Sequence, residues 1–436
     1  MPGSANKEVT KNRCLRRNNK KERNVDPKFK VRLGLFFDGT LNNRENVATG
    51  AENAPFGGNF GSYNNDYSNV SRLESYWKKI KGYDHSGSIY VEGIGTFDNS
   101  GMVVGDDPQG MATGSGMTGV KTKVKSGITQ GVEKIVSWTS KEDKDRIDVL
   151  HIDVFGFSRG AAAARHFTYQ AKVKNTVESK LKKKGYEVVE VSVKFVGLFD
   201  TVASFGIVHK NDTAQLHLDA IENASFVLQL AAAEEHRKNF RLTNIASAKA
   251  GKEIFLPGVH SDVGGGYPDK VEEKDLQIMN IDTVWLTDKQ KNALDRERNW
   301  LIDAGWYKKH DIKKVDLWNR LKASRKSIRN RYNRIPLKIM ADFAKEHGVN
   351  FYFKRIATKS KIIKDLLPVY DTINTYIAGM GISKPEDWFH LNNDMMRNLR
   401  YKYLHFSAYY GSISNKPQFT DNDPIMGRRK RIIQDG

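Results

Sequence analysis

Between residues 31 and 267 the chain alternates short apolar runs with longer stretches of helical spacing. VRLGLFF (31–37), SIYVE (88–92) and VLHIDVF (149–155) have strand length, and each runs into a polar or glycine-containing turn. VEVSVKFVGLF (189–199) alternates and then becomes wholly apolar, as a strand does when both of its faces are covered. IFLPGV (254–259) is a last short strand-like run. The intervening spacing predicts helices over 119–139, 160–182 and 216–240, and another near 336–347. Strands alternating with helices predict an α/β fold, a mostly parallel sheet with helices on both faces. The expected organisation is a basic disordered tail over 1–30 and an α/β core over 31–269. A charged helical insert follows over 270–334, then a helical and irregular C-terminal region over 335–436 that packs on the core. The Gly/Asn-rich stretch 49–70 has few helix formers and reads as a mobile cover.

The ends of the apolar runs hold the chemistry. After 149–155 comes Gly156-Phe157-Ser158-Arg159-Gly160 and then four alanines, 161–164. A glycine on each side of Phe-Ser-Arg lets a strand double back sharply into a helix and lift the Ser158 hydroxyl above the sheet. The Arg159 backbone N–H then lies where a developing oxyanion needs a donor. A serine hydroxyl needs a base, and the base an orienting acid. The run ending at 199 leads into Asp200, and the run ending at 259 leads into His260. Ser158, Asp200 and His260 thus each follow a predicted strand, in the order expected of an α/β-hydrolase. Asp262 is the rival acid, but two residues on one tight loop tend to point different ways, so it reads as a secondary site residue. The run 31–37 opens into Asp38-Gly39-Thr40, where Gly39 can supply a second backbone donor; Asp38 and Thr40 are secondary candidates. No Walker lysine and no strand–GxGxxG–helix unit is present, so no nucleotide, other cofactor or metal is expected.

Charge adds a second feature. The 436 residues hold 71 Lys and Arg against 51 Asp and Glu, a formal net charge of +20. The excess sits in residues 1–30, in 320–338 and in Arg428–Arg431. Over 320–338, Leu321, Ile328, Tyr332 and Ile335 form a partial stripe at helical spacing. Such a basic stretch suits an anionic membrane surface or is a solvated face, and nucleic acid fits it least. A single cysteine, Cys14, excludes a disulfide framework. The basic N-terminus has no apolar signal core and no run is long enough to span a bilayer, which predicts synthesis in the cytoplasm without a Sec signal.

FFDGTLNN (36–43), YVEGIGT (90–96), VFGFSRGAAAARHF (154–167), GLFDTVASFG (197–206), AAAEEHRKNF (231–240) and PGVHSDVGGGY (257–267) together resemble the ordered motifs of one α/β-hydrolase domain family. Its best-known members are the type VI lipase effectors of family 1. The resemblance implies a serine esterase of the phospholipase A type with Ser158 as nucleophile, Asp200 as acid and His260 as base. It also implies a phospholipid membrane substrate, a secretion-spike carrier, an immunity protein, and delivery into the periplasm of a target cell. Glu234 departs from the family pattern, where an Asp or His is often seen. By analogy with lipases that act at interfaces, the insert over 270–334 is the expected lid. The competing readings are a cytoplasmic esterase for small soluble esters and a non-enzymatic basic binding module on the same fold.

Overall fold

The computed structural model describes residues 28–54, 61–97, 106–107, 116–203, 213–281, 283, 285–313, 319–379, 383–389, 391–411 and 415–436. Its centre is a six-stranded sheet built from β1 (Lys30–Phe37), β2 (His85–Val91), β3 (Val149–Phe157), β4 (Val191–Phe199), β5 (Val227–Ala232) and β6 (Gly251–Leu256). The spatial order is β2-β1-β3-β4-β5-β6 and every neighbouring pair is parallel. The chain steps outward from β1 to β2, then crosses back to build the rest from β3. The order therefore reverses between β1 and β3, a crevice where open α/β sheets place their ligands.

Side chains alternate across each strand, so neighbours such as Phe36 and Phe37 serve opposite cores. On one face Leu33, Leu35, Phe37, Ile152 and Val154 pack under α1 (Val120–Thr139) and α2 (Arg159–Lys172). Ala161–Ala164 are fully buried there, which lets α2 lie close to the strands. On the other face Phe36 stacks on Phe155 at 4.6 Å, and the cover comes from the helix Asn69–Ser75 and from the C-terminal half of the chain.

That cover departs from the sequence expectation. Residues 271–328 are not a helical insert: β7 (Val271–Asn280), β8 (Ile312–Lys313) and β9 (Arg320–Ile328) form an antiparallel sheet, with one long helix, α3 (Asp288–Asp303). Ile278, Met279, Leu301, Trp306 and Leu321 are buried in the same core as Phe36 and Phe155, so the segment is built into the fold, not laid over it as a lid. The helical stripe read over 320–338 fails because the operative period is two. Leu321, Ala323 and Arg325 point inward while Lys326 faces solvent, and helical structure begins only with the 3-10 turn Asn330–Asn333 that leads into α4 (Arg334–Glu346).

Two other helix expectations are corrected. Within 216–240 the run Val227–Ala232 is a core strand between β4 and β6, buried at every position. Its alanines suit a helix, but a site open on two strand edges decides the matter. The helix expected over 160–182 breaks at Val173–Asn175, where Asn175 has φ 50°, and resumes as Thr176–Lys183. In the expected cover, 49–70, Asn69 already begins a helix, Asn69–Ser75, while residues 55–60 lie outside the described residues. The basic tail lies outside them up to residue 27. No helix among the described residues is long and apolar enough to cross a membrane.

Part of the basic excess is internal: Arg325, Arg334, Arg429 and Arg431 are buried. Arg325 donates to both carboxylate oxygens of Glu273, at 2.7 and 3.0 Å, and to the Arg400 and Leu404 carbonyls. Arg429 is buried against Glu297 and the Ala408 and Ile278 carbonyls. The membrane-docking reading of these positions is therefore corrected, because a guanidinium committed to a buried carboxylate cannot also meet a lipid headgroup. Arg325→Ala is expected to cost about 3–5 kcal/mol of stability by leaving Glu273 buried and unpaired. Lys326→Gln should leave stability within about 0.5 kcal/mol. Denaturant unfolding of both variants checks this pair of outcomes.

Candidate active site

Three of the sequence-predicted residues stand at the carboxyl edge of the sheet. Ser158 follows β3 with φ 58° and ψ −127°, a left-handed backbone that a serine adopts only under constraint. The constraint is visible on both sides. A Cβ on Gly156 would strike the Gly160 carbonyl, and one on Gly160 would strike the carbonyls of Phe37 and Asp38. The glycines thus allow the turn itself and let the start of α2 touch the end of β1. The Arg159 side chain reinforces that contact by donating from Nε to the Thr40 hydroxyl at 2.8 Å. Desolvation brings its guanidinium down to about 10.

Asp200 follows β4, also in the left-handed region at φ 44°. His260 opens the short helix His260–Gly264 just beyond β6. Their side chains meet: His260 Nδ1 lies 2.6 Å from Asp200 Oδ2, with both groups buried. The imidazole is clamped between Phe157 (ring centres 4.6 Å apart) and Phe240 (5.0 Å). This desolvation, more than the opposing pull of Asp200, lowers the His260 pKa. The Phe157 ring also fills the space that side chains on Gly39 and Gly264 would need, so the residue before Ser158 touches both the β1 loop and the His260 helix. Within the described residues, the Ser158 hydroxyl makes no hydrogen bond to His260.

The other Asp200 oxygen is equally engaged. Oδ1 accepts from the Ala232 N–H and from Arg431 Nη2, each at 2.8 Å. The nearby Arg431 cation and the bond to His260 hold the carboxyl below its usual range despite complete burial. Arg431 belongs to the terminal basic cluster that the sequence shows only as surplus charge. Glu235, also missed from sequence, accepts from the His260 backbone N–H, at 3.2 Å, and pairs with Arg237, at 2.8 Å.

The rival acid is elsewhere. Asp262 accepts from the Val259 and His405 N–H groups and lies 2.7 Å from His405 Nδ1, so it faces a second histidine and not His260. Glu234 likewise has a local task, bonding Arg400 and the Gly258 N–H beneath the His260 loop. In the β1 loop, the Gly39 N–H donates to the Asp38 carboxylate at 2.7 Å, so in this conformation it is not the open donor expected from sequence. The cause is local: a carboxylate on the preceding residue reaches the next amide at no cost in chain folding. Burial raises Asp38 to about 6, against hydrogen bonds from Ser68, Tyr90 and Gly39. No cluster of metal-ligating side chains occurs among the described residues.

Comparisons with known proteins bear on this arrangement. No curated protein matches the sequence. Among solved structures, a Tle1 effector bound to the VgrG spike of the type VI secretion system aligns over 94% of this chain and 94% of its own, at 23% identity and TM-score 0.65, which shows a shared fold. An uncharacterised Pseudomonas aeruginosa protein aligns at TM-score 0.43 and 18% identity, covering 83% of this chain and 52% of its own, too distant to bear on the site. Residues 166–289, which include Asp200 and His260 but begin beyond Ser158, match the model of the Tle1-like catalytic domain of type VI secretion phospholipase effectors. The chain thus resembles a Tle1-like catalytic domain over residues 166–289 and shares the fold of a Tle1 effector over most of its length.

Proposed function

We propose that the protein is a serine hydrolase that cleaves acyl esters of phospholipids, a phospholipase of the A type delivered as a type VI effector. The observation that carries the reading is the buried Asp200–His260 hydrogen bond beside a strained serine at the reversal of strand order. In the reaction, Ser158 Oγ attacks the ester carbonyl while His260 Nε2 takes its proton. Asp200 fixes the ring through Nδ1 and stabilises the imidazolium that forms. The Arg159 N–H, at the open first turn of α2, receives the oxyanion; the Gly39 N–H can join it only once its bond to the Asp38 carboxylate is broken. The ester C–O bond then breaks as His260 returns that proton to the departing lysophospholipid oxygen, and water, activated by the same histidine, hydrolyses the acyl enzyme to fatty acid and free Ser158. The VgrG-bound relative supports a spike protein as carrier, and an immunity protein is the expected counterpart in the producing cell.

Purified protein should release fatty acid from phosphatidylethanolamine and phosphatidylglycerol vesicles, and a fluorophosphonate probe should label Ser158. Turnover confined to soluble short-chain esters would replace the phospholipase reading with a small-ester esterase. Absence of both labelling and turnover would leave a binding module.

A further inference from the structure

We infer that Arg431 is a positioning residue for the Asp200–His260 pair, so that a C-terminal segment more than 170 residues beyond His260 completes the catalytic apparatus. This rests on the triad reading above and adds a member to it. Arg431 is almost wholly buried, and its Nη2 donates to the Asp200 oxygen that His260 does not use. A second nitrogen, Nη1, reaches the Glu235 carbonyl at 3.4 Å. Glu235 in turn accepts from the His260 backbone N–H, so one guanidinium ties together the strand end bearing the acid and the loop bracing the base. The backbone carries the arginine there: Leu242 donates to the Ile432 carbonyl at 2.9 Å, and Ile433–Gln434 pairs with Leu242–Thr243 as a parallel strand.

The consequence is electrostatic as well as geometric. The charged groups facing the pair are Arg431 and Arg237 on the positive side and Glu235 and Glu253 on the negative. Glu235 already has Arg237 as a partner, which leaves Arg431 as the cation in contact with Asp200. Without it, the aspartate and histidine would share a buried proton repelled only by the more remote Arg237, which is already paired with Glu235. Whichever group holds that proton, the pair would release it at higher pH. Arg431 therefore widens the pH range in which His260 is a free base next to an ionised Asp200.

The test is the pH profile of kcat/KM on a soluble short-chain ester, with the folded fraction of each full-length variant checked by circular dichroism. In Arg431→Gln the acid limb should move up by about one to three pH units, the shift expected for loss of a contacting opposite charge. Arg431→Lys should keep the limb near its wild-type position, yet lose turnover roughly tenfold, because one ammonium cannot span Asp200 and the Glu235 carbonyl. A merely structural arginine would lower the amount of folded enzyme without moving the limb. Folded Arg431→Gln with an unmoved limb overturns the proposal. Should that variant not fold, wild-type turnover in Arg431→Lys overturns it. A wild-type enzyme that the fluorophosphonate fails to label at Ser158 would instead sink the hydrolase reading.

Discussion

Ser158→Ala should remove nearly all ester hydrolysis, and His260→Ala nearly as much. Loss of a triad serine or histidine costs roughly 10⁶-fold in a serine protease, and the same order is expected here because one proton transfer couples the two groups. The fold should survive the serine change. Ser158 holds its place through backbone bonds, its N–H to the Phe199 carbonyl and its own carbonyl to the Ala161 and Val202 N–H groups, none of which an alanine removes. Alanine at φ 58° meets the same backbone penalty as serine. Initial rates on vesicles and on a soluble ester, normalised to folded protein, check the outcome. A folded Ser158→Ala enzyme retaining a tenth of wild-type turnover would remove Ser158 from the nucleophile role.

The second large effect separates the two aspartates. Asp200→Asn should lower kcat about 10⁴-fold, because an amide at this position does not hold the imidazole in the tautomer that presents a basic Nε2. Asp262→Asn should act on stability instead. Asp262 anchors the turn before His260 and the His405 side chain, so weakening those bonds should cost about 1.5–3 kcal/mol with kcat per folded molecule little changed. Paired denaturation and turnover measurements distinguish the cases. If Asp262→Asn abolishes turnover while Asp200→Asn spares it, the acid has been assigned to the wrong histidine partner.

Where the chain's pattern was read correctly, the determining interactions are short in sequence. The elbow Gly156–Gly160, the strands ending before Asp38, Ser158 and Asp200, and α1 each follow from a local run and the turn chemistry at its end. The misreadings arose where the environment, not the residue run, chose the period. Val227–Ala232 has the composition of either element, and only the open edges of β4 and β6 make it a strand. The stretch 320–328 shows helical spacing among its apolar residues, yet its inward positions include Arg325, which burial tolerates only because Glu273 sits on the facing strand.

The same division holds at the site. The residue types and their order, each after a core strand, were set by the sequence alone, since a serine elbow, a strand-end acid and a strand-end histidine are local features. Which carboxylate meets which histidine was not, because Asp200 and Asp262 are both placed beside a core strand and differ only in the direction their side chains take. Tertiary structure turned Asp262 to His405 and Asp200 to His260. It also brought Arg431 from a basic cluster, whose charge alone reads as surface, into a buried contact with Asp200. Charge along a chain predicts solvation only until a buried opposite charge is available, and the folded chain, not the sequence window, supplies that partner.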